Sequence, residues 1–539
     1  MVKTVSETEP TLPLTTDRAA LLSQIDQQGQ YDLAIIGGGA TGLGVALDAA
    51  NRGFKVLLVE AEDFAKGTSS RSTKLLHGGV RYLAQGDIAL VREALHERSA
   101  VMHNAPHLAQ PLAFLMPCYR AWQVPFYWTG LKLYDALSGK HGLGPTQVLS
   151  SAQTQQQLPN VLRTGLKGAV KYWDGQFDDA RLALAIARTA ATKGAHLINH
   201  CRVTKIHHDS GRASGLVLKD AESGRELSIK THCLVNATGV WVDQIRTDDD
   251  AASQRQTEPM VAPSQGLHVV VDREFMPGDV ALIVPKTSDG RVLFAVPWLG
   301  KVILGTTDTP RSTPDLEPKP FKEELEFILR EAGRHLQRAP GHQDIRSLWV
   351  GLRPLVRPTD SHHHSQATKR ISREHTIVTS ASGMVTVTGG KWTTYRVMAH
   401  DTLAHCFKEG LLATKGLDQT AELLLVGAQM QGPVTHKMCD APGLAQYGDE
   451  QSSVQSMAGA RHMLAPGLSE AMVRFAARYE YARTVEDVLA RRHRLLFLDA
   501  AAAQRLAPVV GEILQSETGQ DPQTEAFVSL AQQYQTLPV

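Results

Sequence analysis

Two hydrophobic periods alternate along this chain. Tyr31 to Ile36 is an apolar run closed by glycine, Leu43 to Gly53 carries apolar residues at helical spacing, and Lys55 to Glu60 is again a buried type of strand. That order predicts a βαβ unit between Tyr31 and about Lys74. Further β-rich stretches follow at Ala195 to Val203, Ala213 to Lys219, His232 to Asn236, His268 to Val271, Val280 to Pro285, Val292 to Pro297 and Lys301 to Gly305, so the middle is mostly sheet. Beyond about Lys415 the pattern turns helical, with Leu468 to Leu496 the clearest segment and Pro466 and Pro508 as punctuation. Met1 to Gln30 reads as a polar arm with one short helix around Asp17 to Gln27. No solenoid period recurs, and the tract His362-His363-His364 reads as an exposed loop rather than a metal site.

Composition narrows the class. At 539 residues the chain exceeds one hydrophobic core, and 42% hydrophobic with 21% charged residues is ordinary for a folded protein. A formal charge of +1 gives no basic excess for nucleic acid. Cys118, Cys201, Cys233, Cys406 and Cys439 form no close pair, so neither a disulfide framework nor a metal spacing is visible, and a reducing compartment is expected. No basic and apolar leader opens the chain, and no run of about eighteen apolar residues suggests a spanning helix. An intracellular protein is expected, with peripheral membrane attachment left open.

Gly37-Gly38-Gly39-Ala40-Thr41-Gly42 fits GxGxxG and sits between the first strand and the first helix. Gly37 permits a tight turn, Gly39 lets the backbone approach a pyrophosphate, and Gly42 lets helix and strand pack closely, while the helix N-terminus offers free N–H groups to phosphate. Glu60 ends the second strand, where a carboxylate accepts hydrogen bonds from a ribose and repels a 2′-phosphate. The ligand predicted is FAD or NAD, not NADP.

The residues that follow decide between them. Gly67-Thr68-Ser69-Ser70-Arg71-Ser72-Thr73-Lys74 leads into Leu75-Leu76-His77-Gly78-Gly79-Val80-Arg81-Tyr82-Leu83. Later come Trp173-Asp174-Gly175, Asp178-Asp179-Ala180-Arg181-Leu182, Asn236-Ala237-Thr238-Gly239, Gly305-Thr306-Thr307-Asp308, Gly351-Leu352-Arg353-Pro354-Leu355 and Gly389-Gly390-Lys391-Trp392-Thr393-Thr394-Tyr395-Arg396. In this order the series resembles the FAD-dependent, quinone-linked glycerol-3-phosphate dehydrogenase family. Departures are small: Trp392 stands where the family often has Leu, and Arg353 is followed by Val356-Arg357-Pro358 rather than a more acidic stretch.

The resemblance implies an α/β FAD-binding Rossmann-type domain (31–118, 160–245 and 370–412) behind the arm 1–30, an inserted β-rich substrate domain (119–159 and 246–369), and a C-terminal helical domain (413–539). It assigns FAD to Gly37, Gly39, Gly42, Glu60, Thr68, Ser69, Ser70, Val203, Gly239, Gly390, Lys391 and Thr393, and with no residue that must form a flavin bond the attachment is expected to be noncovalent. A second strand–glycine–helix junction at Gly383 to Lys391 aims a helix N-terminus and a lysine at the flavin. A phosphorylated substrate needs cations, for which Arg81, Arg353 and Lys391 are candidates. His77 or His268 is the candidate base. Asp308 and Thr307 read as structural.

The reaction the resemblance implies is oxidation of sn-glycerol 3-phosphate to dihydroxyacetone phosphate, hydride passing from C2 to flavin N5. With one nucleotide fingerprint, electrons are expected to leave to membrane quinone at the cytoplasmic face of the inner membrane. A homodimer is left open. The alternatives are an oxidase of an amino acid or 2-hydroxy acid, or a flavin-binding sensor without turnover. For lipid contact the best stretch is Arg120 to Leu137, with Trp122, Phe126, Tyr127, Trp128, Leu131, Leu133 and Tyr134, against the alternative that it packs a core. Arg483 to Arg494 is a second candidate.

Overall fold

The computed structural model describes residues 14–79, 87–251, 257–357, 374–430 and 432–538. Arg81 and His362-His363-His364 lie outside them. Two large sheets organise the molecule. The first runs His375–Thr379, Val385–Gly389, Glu226–Asn236, Gln30–Ile36, Val56–Val59, His196–Ile198, with the hairpin Cys201–Asp209 and Arg212–Asp220 on the outer half of Glu226–Asn236. Gln30–Ile36 pairs in parallel on both edges, which is why it reads as an unbroken apolar run.

The helix Ala40–Asn51 packs between Asp179–Thr192 and Tyr395–Lys408, and its small residues are what lets it do so. A Cβ on Gly44 would stand 2.9 Å from the Tyr395 ring.

The second sheet runs Thr309–Pro310, Val261–Asp272, Lys301–Gly305, Leu293–Trp298, Ala281–Val284, Ala109–Cys118, Gly168–Phe177, Leu75–Leu76, with Ile345–Val356 also on Val261–Asp272 and Gln147–Ser150 also on Gly168–Phe177. Here the expected division needs correcting. Ala109–Cys118 and Gly168–Phe177, expected with the dinucleotide domain, pair with each other and belong to this second sheet, because Ala109–Cys118 lies beside Ala281–Val284.

The helical C-terminal domain is present, with helices Glu470–Tyr479, Ala500–Thr518 and Thr524–Gln535, but its detail is corrected. Among the described residues from 409 to 450 the helical elements are short 3₁₀ turns at Thr420–Glu422 and Leu444–Glu450. Leu468 to Leu496 is not one helix: Glu470–Tyr479 ends, Tyr481 and Arg494 take φ of 59° and 71°, and a π-turn Asp487–Arg492 and a short helix Leu495–Leu498 follow. The side chains there serve distant partners instead of a helical face. Arg491 and Arg492 pair with Asp63, and Arg181 pairs with Glu480 at 2.8 Å. The second lipid candidate is thereby overturned, since Arg491, Arg492 and Arg494 are buried in ion pairs and Arg483 pairs with Glu222. Pro508 lies inside the helix Ala500–Thr518, not at its end.

The arm is docked where it is described. Asp17 caps the helix Arg18–Gln28, and Arg18 is buried, paired with Asp220 at 2.5 Å and donating to the carbonyls of Asn199 and His200 at 2.9 Å. The aromatic stretch forms the helix Gln123–Ser138, which buries only Leu131, Tyr134 and Ser138. Trp122 is 55% exposed, Phe126 63% and Leu133 50%, so the stretch is not simply core. No helix among the described residues is long and apolar enough to cross a membrane.

Candidate active site

The glycine fingerprint forms the turn its spacing requires. Gly37 has a φ of 111°, and a Cβ on Gly42 would collide with the Gly37 carbonyl. Gly39 caps the helix Ala40–Asn51 with no side-chain hydrogen bond, and a Cβ there would lie 3.1 Å from Ser69 Oγ. The helix start is thus open to an anion, and Ser69 closes over it by accepting the Ala40 N–H at 2.9 Å. Glu60 accepts the Gly38 N–H at 2.6 Å and the Glu62 N–H at 2.8 Å, while burial pushes its carboxyl above the usual range. Gly239, at a φ of 62°, has open space where a Cβ would point. A side-chain-free cradle with a carboxylate at the end of the second strand fits the diphosphate and ribose of FAD.

The second glycine junction meets the first. Gly389 and Gly390 have φ of 84° and 72°, and a Cβ on Gly390 would press the Met398 sulfur at 2.5 Å. Lys391 is half-buried at the start of the turn Trp392–Thr394, whose Thr393 is buried. Trp392 Nε1 donates to the Ser69 carbonyl at 2.8 Å, and Thr388 donates to the Gly239 carbonyl at 3.0 Å. Thr68 donates to the Leu352 carbonyl at 2.7 Å, and the Ser70 carbonyl accepts from Lys74 and Arg494, both at 2.7 Å. Val203 lies in the strand whose first residue, Cys201, donates its N–H to the Glu60 carbonyl at 2.9 Å.

The substrate side is built by register. Ser264, Gly266 and His268 alternate along one strand and stand opposite Arg353, Gly351 and Trp349. Side chains two apart share a face, and the two glycines make room there for their neighbours: a Cβ on Gly266 would lie 2.5 Å from the Arg353 guanidinium. A Cβ on Gly351 would lie 2.5 Å from the Arg71 carbonyl, so the loop after Gly67 runs across it. Arg353 pairs with Asp308 at 3.2 Å and donates to the Thr307 carbonyl at 3.0 Å and to Thr306 Oγ1 at 3.3 Å. Ser264 donates to Asp308, and Thr307 Oγ1 donates to Glu324 at 2.8 Å, in keeping with structural roles for Asp308 and Thr307.

His268 is buried, stacked on Trp349 with ring centroids 4.0 Å apart, and its Nε2 lies 3.0 Å from Thr73 Oγ1. Burial, then the cations Lys74 and Arg353, hold its pKa well below the usual histidine value. The imidazole is therefore neutral and able to accept a proton. His77 is half-buried just past Leu75–Leu76, and the next residue, Gly78, donates its N–H to Tyr134 Oη at 2.9 Å.

Sequence reasoning did not assign Thr73, Lys74, Asp179, Trp349 or Arg494 to the site. Lys74 donates to Asp179 at 2.6 Å and sits over Trp349, Trp298 and Phe497 at 4.7, 5.3 and 5.5 Å. The available signal was a lysine inside a loop of small residues and an arginine abutting the apolar run Leu495 to Leu498.

Comparison with known proteins agrees with this architecture. Residues 32–396 match the FAD dependent oxidoreductase family, and residues 419–525 match the C-terminal domain of alpha-glycerophosphate oxidase. The chain is 42% identical over 533 residues to a probable mitochondrial glycerol-3-phosphate dehydrogenase of Caenorhabditis elegans, covering 93% of this chain and 72% of that protein. It is 39% identical over 548 residues to the mitochondrial glycerol-3-phosphate dehydrogenase of Homo sapiens, covering 95% of this chain and 74% of that one. Among solved structures, the glycerol-3-phosphate dehydrogenase of Bacillus halodurans complexed with FAD superposes with a TM-score of 0.76 at 28% identity, over 96% of this chain and 98% of that one. A βαβ dinucleotide cradle, a second sheet laid against it and a matching C-terminal domain occur here in one chain, which belongs to the FAD-dependent glycerol-3-phosphate dehydrogenase family.

Proposed function

We propose that the chain oxidises sn-glycerol 3-phosphate to dihydroxyacetone phosphate and delivers the electrons to a membrane quinone. The observation that carries this reading is the pairing of Arg353 and His268 on one face of the substrate sheet, under the loop that also closes the dinucleotide cradle. Gly37, Gly39, Gly42, Glu60, Thr68, Ser69, Ser70, Val203, Gly239, Gly390, Lys391 and Thr393 hold FAD. Bound there, the flavin supplies a two-electron acceptor for the hydride that leaves C2.

The remaining work falls to side chains. Arg353, braced by Asp308, presents its guanidinium to the phosphate, with Lys391 and Arg81 adding positive charge. His268 takes the C2 hydroxyl proton, and its neutral state leaves Nε2 free to exchange the Thr73 hydroxyl for the substrate's. His268 is preferred to His77 because it shares a face with Arg353. Peripheral attachment to a bilayer surface is supported by the exposed Trp122, Phe126 and Leu133 beside Arg120 and Lys132.

Anaerobic titration of the flavin absorbance tests the core of this reading. Glycerol 3-phosphate should bleach the bound flavin at stoichiometric amounts, whereas lactate and sarcosine should not. A flavin that no polyol phosphate reduces overturns the dehydrogenase reading. Reduction of oxygen as fast as of a quinone analogue replaces it with an oxidase.

A further inference from the structure

The mechanism above leaves a buried cation beside the site without a task. Lys74 is fully buried, yet it lies next to Thr73, whose hydroxyl faces His268. It also adopts a φ of 64°, a left-handed conformation that a non-glycine residue keeps only where its surroundings impose it. The surroundings here are explicit. Its ammonium donates to Asp179 and to the Ser70 carbonyl, and packs over Trp349, the ring on which His268 stacks.

Arg494 completes the arrangement from the C-terminal domain. It shares the Ser70 carbonyl with Lys74, reaches Asp179 at 3.1 Å, and packs over Phe497 at 4.4 Å. Phe497 in turn meets Trp349 edge-on at 5.3 Å, and Ser347 Oγ donates to the Leu496 carbonyl at 2.9 Å. Trp349 thus touches both the base and a buried cluster of two cations bridged by a carboxylate.

We infer that Lys74, seconded by Arg494, is a positioning residue for His268: it fixes the Trp349 ring against which the imidazole stacks, and its charge opposes a second charge on that imidazole. This rests on the reading of His268 as the base. The charged groups around the pair are few. His268 faces Lys74 from the loop and Arg353 from Ile345–Val356, with Asp308 behind Arg353. Lys74 faces Asp179 and Asp178 from the start of Asp179–Thr192, and Arg494 from the C-terminal domain. Burial pulls Lys74 down to about 7 against the opposing pull of Asp179, so the ammonium is charged in the acid range where His268 would take up its proton. Two like charges packed on one indole disfavour each other, and the imidazole is the one that stays neutral.

The test uses the holoenzyme. The pH profile of kcat/KM with glycerol 3-phosphate is recorded for the parent, Lys74→Met and Lys74→Arg, with flavin content as the folding control. In Lys74→Met the acid limb should move up by about one pH unit, because the imidazole then protonates more readily. Lys74→Arg, which keeps the charge, should bring the limb back. An unmoved limb in a flavin-loaded Lys74→Met overturns the inference. If that variant yields no holoenzyme, Lys74→Gln asks the same question with a neutral polar side chain: a limb shifted up supports the inference, and an unmoved limb overturns it. His268→Asn separates the two readings. An acid limb that survives there removes His268 as the base and this inference with it, whereas a limb lost there but unmoved in Lys74→Met sinks the inference alone.

Discussion

Trp392 and Ser69, 323 residues apart, are joined by an indole N–H donated to a backbone carbonyl at 2.8 Å. Ser69 is also the residue that takes the Ala40 N–H at the dinucleotide helix, so one serine is held from two glycine junctions at once. Trp392→Phe keeps a ring against Phe177 and Tyr395 and loses only the donor. It should cost about 1 kcal/mol and weaken FAD binding roughly fivefold. Thermal unfolding together with flavin titration checks both numbers.

Gly39→Val should yield protein with almost no flavin. A side chain there would press on Ser69 Oγ and fill the space a pyrophosphate must enter. Normal flavin-to-protein absorbance in this variant would refute the assigned cradle. Flavin that stays on the pellet after acid precipitation would refute noncovalent attachment.

Arg353→Ala should lose roughly 3 kcal/mol of transition-state stabilisation, on the order of a hundredfold in kcat/KM, with glycerol 3-phosphate. Unphosphorylated glycerol should lose less. Equal losses on both substrates would place Arg353 at the C2 hydroxyl instead of the phosphate. Asp308→Asn, which keeps the shape and removes the brace, should raise KM more than it lowers kcat.

Trp122→Ser combined with Phe126→Ser should abolish flotation with liposomes and leave turnover with a soluble dye intact. Both rings are exposed, packing edge-on against each other at 5.9 Å and, for Phe126, against the neighbouring Tyr127 at 5.3 Å, so their loss need not disturb the sheet beneath. A double variant that still floats in high salt would move the lipid contact elsewhere.

The His200–Asp487 pair, 2.9 Å apart, gives a pH signature at the seam with the C-terminal domain. Burial works to lower His200, but Asp487 outweighs it and the folded value lies above 6.5. Burial likewise works to raise Asp487, but His200, Arg491 and Arg492 hold it well below 3.8. The histidine's contribution is complete below 6.5 and lost as pH rises through the folded value. The aspartate's is complete above 3.8 and lost as pH falls through its own folded value. His200→Asn should therefore lower Tm more at pH 6 than at pH 9, and an equal loss at both would show that the pair does not carry the effect.

What the chain betrayed in advance was whatever depends on local geometry. A tight turn followed by a helix needs glycines at fixed steps, so Gly37, Gly39, Gly42 and the Gly389-Gly390 junction were readable one segment at a time. Cross-strand neighbours such as His268 and Trp349 depend on a register set by long loops, and no local pattern encodes it. The break after Tyr479 was hidden for a related reason. Its apolar spacing continues to look helical, while Glu480, Arg491, Arg492 and Arg494 answer to Asp63, Asp179 and Arg181, far away in sequence.

The Ser70 carbonyl waits for an arginine 424 residues downstream. During synthesis the dinucleotide helix, its turn and both early strands emerge hundreds of residues before the group that pins the neighbouring loop. The loop from Gly67 to Lys74 therefore cannot gain this hydrogen bond until Arg494 has been made, just as Ser69 cannot be held by the Trp392 indole until the second glycine junction exists.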